Sequence, residues 1–238
     1  MDRALLEHVE LLSLDAGNTV IFLDHARLAR LAGVSEERLV VAEGEAKRLL
    51  TTPEAMVDPH WHERDRPGAA GWGRTVATML ARAGVPEADL AELLSTLWAS
   101  HVERNLWSLV PPGFREAIAD LRASGVKVAI VSNSEGMLDR LFEQLGILSS
   151  FDALVDSGKV GVEKPDPRIF EIACQQTGTR VTGGLHLGDT YATDVLGARN
   201  AGMRTALIDP FAHYEGLYPD VPRVPGVVEV ARAILAQS

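Results

Sequence analysis

The sequence predicts an α/β fold: a Rossmann-like three-layer core built on a parallel sheet, with an α-helical cap domain inserted after the first strand. Three observations predict it. The runs "LLSLD", "VKVAIVS", "ALVDS", "GLHLG" and "RTALID" are short, apolar and rich in Leu and β-branched residues, as expected of strands buried on both faces. From the second run onward they alternate with amphipathic helical patterns, the signature of parallel strands joined by helical crossovers. Between the first and second runs, residues 24–107 offer helices and loops but no convincing strand.

The elements follow in chain order. "LLSLD" ends in Asp15 and runs into the small, flexible turn "AGNT". The helical stretches "SEERLVVAEGEAKRLL" and "PEADLAELLSTLWASHVERN" come next, the second opened by Pro86 and acidic residues, a usual helix start. Between them "TTPEAMVDPHWHERDRPGAAGW" reads as a loop rich in Pro, Gly and His. Trp61, Trp72, Trp98 and Trp107 are expected to build the small core of the cap, since each buries a large apolar area, although Trp61, His62, Arg64 or Arg66 could face a substrate. "SLVPPGF" marks the return to the core, so residues 1–23 and 108–238 form the core domain and 24–107 the cap. "GMLDRLFEQLG", "DPRIFEIACQQTG" and "ATDVLGARNAG" are the helices between the later strands, and "DPFAHYEGLYPDVPR" is expected to be a surface loop over the sheet edge.

Composition narrows the function. The chain has 238 residues, 46% hydrophobic and 24% charged, enough for a core domain and a smaller companion. A formal net charge of -10 argues against nucleic acid or an anionic membrane as partner. No apolar run approaches a membrane span, and the N-terminus lacks the pattern of a signal peptide. The single cysteine, Cys174, falls on the apolar side of a helix and is expected to be a buried hydrophobe. Low cysteine usage suits a cytoplasmic protein, expected as a monomer or weak dimer.

Four motifs could carry chemistry. "LDAGNT" places Asp15 at a strand end, "AIVSNS" does the same for Ser132 and Asn133, and "HLGDTYATD" for Asp189, with Asp194 in the following helix. "GVEKPDP" places Lys164 before a proline at a helix start. Each alone has an ordinary explanation as a turn, a cap or a solvated lysine. Together they matter, because sites in open parallel sheets form at the carboxyl ends of strands.

In order and spacing the four motifs resemble the haloacid dehalogenase-like hydrolase superfamily, in the subgroup whose helical cap follows the first motif. "HLGDTYATDVLGARNAGM" and the Trp-containing cap further resemble one branch of that subgroup. The resemblance implies a hydrolase acting on a small phosphorylated substrate. Asp15 would be the nucleophile, forming an aspartyl-phosphate, with Mg²⁺ held by Asp15, Asp189 and the main-chain carbonyl of Gly17. Ser132 and the Asn133 amide would hold phosphoryl oxygens at a helix N-terminus. Lys164 would bind phosphate and add positive charge against Asp15, and Asp194 would hold Lys164 or a metal-bound water in place.

One position departs from the pattern. Two residues after the nucleophile, where these phosphatases carry an acid/base aspartate, stands Gly17. A carbonyl ligand survives the change; general acid–base help, typically ~10²–10⁴-fold, does not. His25, Asp24, His60 and His62 could substitute, though each is expected to be a surface or capping residue. The alternatives are dehalogenase-type cleavage, which the acidic "GDTYATD" disfavours; phosphonate cleavage through Lys47, expected to be a solvated helix-face lysine; or a weakly catalytic phosphate- or partner-binding protein.

Overall fold

The computed structural model describes residues 3–52, 71–210 and 212–237. They form two compact units, Met1–Phe22 with Val110–Ser238, and Leu23–Leu109. Among the described residues the strands are β1 (Leu11–Leu14), β2 (Phe22–Leu23), β3 (Trp107–Leu109), β4 (Lys127–Ser132), β5 (Ala153–Asp156), β6 (Gly184–Gly188), β7 (Arg204–Ile208) and β8 (Arg223–Val224). No described helix is long and apolar enough to cross a membrane.

The first unit is an α/β core around a six-stranded sheet of order β5-β4-β1-β6-β7-β8. All its pairings are parallel. β1 and β6 are buried along their whole length, as a sheet covered on both faces requires. From β1 the chain steps outward through β4 to β5, then returns beside β1 at β6 and continues to β8 on the other side. Strand order therefore reverses at β1, the place where such sheets open a crevice at their carboxyl ends.

The covering helices follow from local pattern. Arg168–Thr177 turns Ile169, Phe170, Ala173 and Cys174 inward, and it stops at Gly178, whose φ of 69° lies in the left-handed region that glycine tolerates. Those four residues pack on Leu11, Ala129, Val131 and Val155 of the sheet. Burial raises the Cys174 thiol above its ordinary range, so it stays a small hydrophobe.

The segment expected as a surface loop near the C-terminus is tied down instead. Tyr214 is buried with Val195, Leu207 and Val221. The Asp209 carboxylate accepts from the His213 and Tyr214 amides at 2.7 and 3.0 Å. The chain then adds β8 to the sheet, a two-residue strand too short to leave a periodic signal.

The second unit is the cap-like helical insertion. It contains helices His25–Ala32, Glu36–Leu50, Trp72–Arg82 and Glu87–Glu103. Leu28, Leu39, Val76, Leu80, Leu94 and Leu97 are part of its core, with Trp98 and Trp107 packed against it. Trp72 is itself buried in that core, and the buried ring of His101 stacks on Trp98 and accepts from Trp72 Nε1. Three of the four tryptophans thus build this unit's interior, as expected. Trp61, His60, His62, Arg64, Arg66 and the expected loop 53–70 lie outside the described residues. At the ends of the insertion, where no strand is expected from the sequence, the short strands β2 and β3 pair.

Candidate active site

The site is assembled at the carboxyl ends of three adjacent strands. Asp15 follows β1, Ser132 ends β4 and Asp189 follows β6. The Asp15 amide donates to Leu187 O at 2.9 Å, carrying the β1–β6 ladder one residue past the strand and fixing the aspartate backbone. The turn behind it closes on Ala16, whose carbonyl accepts from Val20 and Ile21 at 2.9 and 3.0 Å. Asn18 takes φ 52°, a conformation its short polar side chain tolerates. Gly17 is not among the residues of positive φ.

Lys164 is the centre of the cluster. Its Nζ donates to Asp15 Oδ1 and to Asp194 Oδ1, both at 2.6 Å. Ser132 Oγ also donates to Asp15 Oδ1, at 3.1 Å. Both bonds fall on the same oxygen, which leaves Oδ2 for other work. Carboxylate oxygens of Asp15, Asp189 and Asp194 lie within 4.8 Å of one another. Far from being a solvated lysine, Lys164 is 2% exposed.

Two expectations about local structure are corrected here. Lys164 does not start a helix: the next helix begins at Arg168, and the lysine sits in the loop before it. Asn133 is not at a helix N-terminus either, because the following helix starts only at Leu138. Its side chain instead grips the main chain of Lys164, accepting from Lys164 N at 2.7 Å and donating to Lys164 O at 2.9 Å. The intervening loop is held by buried Asp156, which accepts from Gly136 and Gly158 at 3.0 Å and from Leu138 at 3.3 Å. An amide-to-backbone clamp stands in place of the helix terminus that the family resemblance implied.

Asp194 is positioned by an unusual turn. Tyr191–Val195 is π-helical before the ordinary helix Leu196–Ala201, a feature frequent at functional sites. The turn brings Asp194 Oδ2 to within 2.8 Å of the donating Thr190 amide. A Cβ at Gly188 would collide with the Asp194 carboxyl group, so glycine is required before Asp189.

Three carboxylates face one ammonium, an excess of two negative charges. Burial pushes the Asp15 carboxyl up to about 7; Lys164 pulls against that rise, while Asp194 and Asp189 add to it. Burial also opposes the charges on Lys164 and Asp194, but Asp15 and then Asp194 outweigh it to raise the lysine, and Lys164 with His186 outweighs it to lower Asp194. Lys164 and Asp194 thus stay charged, and Asp15 is the group poised to exchange a proton. A cluster of hard oxygen donors with surplus negative charge suits a divalent cation such as Mg²⁺.

Sequence reasoning missed Ser13 and His186. Both are completely buried, and they are register partners across β1 and β6. Ser13 Oγ lies 2.9 Å from His186 Nδ1, and His186 Nε2 lies 3.3 Å from Asp194 Oδ1. The available signal was one polar residue flanked by apolar neighbours in each strand run, "LLSLD" and "GLHLG".

Within the helical unit, Asp24 caps helix His25–Ala32 by accepting from the Arg27 amide at 2.9 Å. His25 Nε2 is 2.7 Å from Glu43 Oε2 and is largely shielded from solvent, so it is no surface residue. Lys47 is half-buried on helix Glu36–Leu50, not fully solvated as expected.

Residues 14–202 match the haloacid dehalogenase-like hydrolase family, and the chain belongs to it. It is an enzyme of the hydrolase class, close to the branch named haloacid dehalogenase-like hydrolase domain-containing protein 3. The Mus musculus protein of that name is 29% identical over 208 residues, 84% of this chain and 82% of that protein. A glyceraldehyde 3-phosphate phosphatase from Methanothermobacter thermautotrophicus is 36% identical over 101 residues, 41% of this chain and 44% of that protein. A Bacillus subtilis HAD-hydrolase solved with magnesium shares the fold at TM-score 0.67 and 17% identity, covering 95% of this chain and 98% of that one.

Proposed function

We propose that the protein hydrolyses a small phosphate ester through an aspartyl-phosphate on Asp15, with Mg²⁺ as cofactor. The observation that carries this reading is the buried junction of Asp15, Lys164 and Asp194, closed by Ser132 and bordered by Asp189. Asp15, Asp189 and the Gly17 carbonyl would hold the metal. When bound, it supplies positive charge against the phosphoryl oxygens and the nucleophile.

The chain's own residues do the rest. Lys164 and Ser132 fix Asp15 Oδ1, so that Oδ2 is presented to phosphorus in one orientation. A new bond from Asp15 to phosphorus forms as the bond to the leaving oxygen breaks. Lys164 balances charge on Asp15 and the phosphoryl group as it redistributes. Water then attacks phosphorus, phosphate leaves and the carboxylate is restored. Gly17 provides no side chain to protonate the leaving oxygen or to deprotonate that water. Turnover is therefore fastest on esters whose leaving group needs little protonation, and hydrolysis of the aspartyl-phosphate is the slower step. The three-carboxylate cluster supports phosphoryl transfer over carbon–halogen cleavage, as does the partial similarity to a named phosphatase.

The test is phosphate release from p-nitrophenyl phosphate with Mg²⁺ and with EDTA, beside Asp15→Asn. Release that needs the metal and falls to background in the variant is expected. Folded wild-type protein that binds Mg²⁺ yet releases nothing from any phosphate ester would overturn the reading in favour of a binding role.

A further inference from the structure

Ser13 and His186 place two polar side chains in the most apolar part of the sheet, both with 0% exposure. Such groups are costly unless fully bonded. Here the bonding has only one consistent direction. Asp194 is the ionised partner of Lys164, so both its oxygens accept. The hydrogen shared with Asp194 Oδ1 at 3.3 Å must therefore sit on His186 Nε2. Burial disfavours the imidazolium more than Asp194 and the Ser13 main chain favour it, so with the one hydrogen of the neutral ring on Nε2, Nδ1 accepts from Ser13 Oγ at 2.9 Å. Phe170 and the imidazole pack edge to face, with ring centroids 4.9 Å apart and planes at 84°, leaving the imidazole little freedom to turn.

Asp194 is thereby gripped on both oxygens, Oδ2 by the Thr190 amide and Oδ1 by His186 and Lys164. The His186 bond opposes rotation of the carboxylate about its Cβ–Cγ axis. Lys164 Nζ is held at 2.6 Å by Asp194 Oδ1 and by Asp15 Oδ1 alike, so the orientation of Asp194 is one of the two anchors that set where the ammonium sits against Asp15.

We infer that His186, as the neutral Nε2–H tautomer set by Ser13, is a positioning residue that fixes Asp194 and through it the Lys164 ammonium on Asp15. This rests on the hydrolytic reading proposed above. It deepens that reading because an enzyme lacking a side chain at Gly17 depends more heavily on the placement of its buried lysine.

The test compares wild type, His186→Leu and His186→Gln on p-nitrophenyl phosphate in saturating Mg²⁺, together with ring-¹⁵N NMR of the wild-type histidines. His186→Leu is expected to lower kcat about 10–100-fold, the usual effect of removing such a supporting partner, with KM changed less than about twofold. The amide of His186→Gln places an N–H near the lost Nε2–H, so it should recover most of kcat. The NMR should show His186 protonated at Nε2 and bare at Nδ1. Unchanged kcat in folded His186→Leu would overturn the inference, as would equal losses in both variants, which indicate packing alone. An Nδ1–H tautomer in wild type would overturn it even if neither variant folds. Wild-type protein without turnover would overturn the hydrolytic reading itself, an outcome separate from these.

Discussion

Replacing Lys164 with methionine removes the ammonium from a site that already carries surplus negative charge. The side chain is 2% exposed and holds Asp15 and Asp194 at 2.6 Å each, with Asp189 in the same cluster. Lys164→Met keeps most of the volume and takes the net charge of the group from -2 to -3. Two unscreened carboxylates with oxygens no more than 4.8 Å apart repel by about 3.5 kcal/mol or more at an effective dielectric near 20. Stripping one partner from a buried pair costs ~3–5 kcal/mol in proteins. We expect Lys164→Met to lose ~3–5 kcal/mol of folding stability at pH 8 without metal. The loss should shrink toward pH 5. Without the ammonium, the folded-state carboxylates bind protons more tightly than the unfolded chain does, so acidification favours the variant's folded state by up to about 1.4 kcal/mol per pH unit per proton taken up. Urea unfolding followed by far-UV circular dichroism measures this. All four tryptophans lie between residues 61 and 107, so fluorescence follows the inserted unit, and a transition seen only by circular dichroism belongs to the sheet. A loss under about 1 kcal/mol at pH 8, with the pH dependence of wild type, would refute the assignment of Lys164 as the charge that holds the cluster together.

Two further outcomes follow from the same geometry. Gly17→Asp should raise steady-state phosphate release by up to ~10²–10⁴-fold and abolish any initial burst; the backbone there is not in the left-handed region, so aspartate meets no φ penalty. An unchanged rate in a folded variant that still binds Mg²⁺ would show that the site departs from a phosphatase in other ways. Mg²⁺ affinity should fall as pH drops below about 7, where Asp15 takes up a proton, by as much as about tenfold per unit, and should level off above it. The sign follows from competition: the metal binds the carboxylate that the proton neutralises. Calorimetric titrations giving equal affinity at pH 6 and pH 8 would contradict that.

The amino-acid sequence by itself determined what depends on near neighbours. Five apolar runs became five strands of the parallel sheet, because continuous burial writes itself into consecutive residues. The order of residues alone was enough to put Asp15, Ser132 and Asp189 at one end of that sheet, because parallel strands have all their carboxyl ends on the same side. Helices such as His25–Ala32 and Arg168–Thr177 stop where glycine follows, at Gly33 and Gly178, for an equally local reason. What only the tertiary structure decided depends on residues far apart in the chain. "VEKPDP" looks like solvated surface, yet Lys164 is buried because Asn133 holds its backbone and two carboxylates receive its charge. Tyr214 and β8 read as loop, since two residues of strand cannot show a period and their partners lie elsewhere. Ser13 and His186 are 173 positions apart, and only the β1–β6 register makes them a pair. Local pattern can say where a chain turns and which face it hides, but a buried charge or imidazole is stable only against partners that the finished fold delivers, so its meaning is settled there.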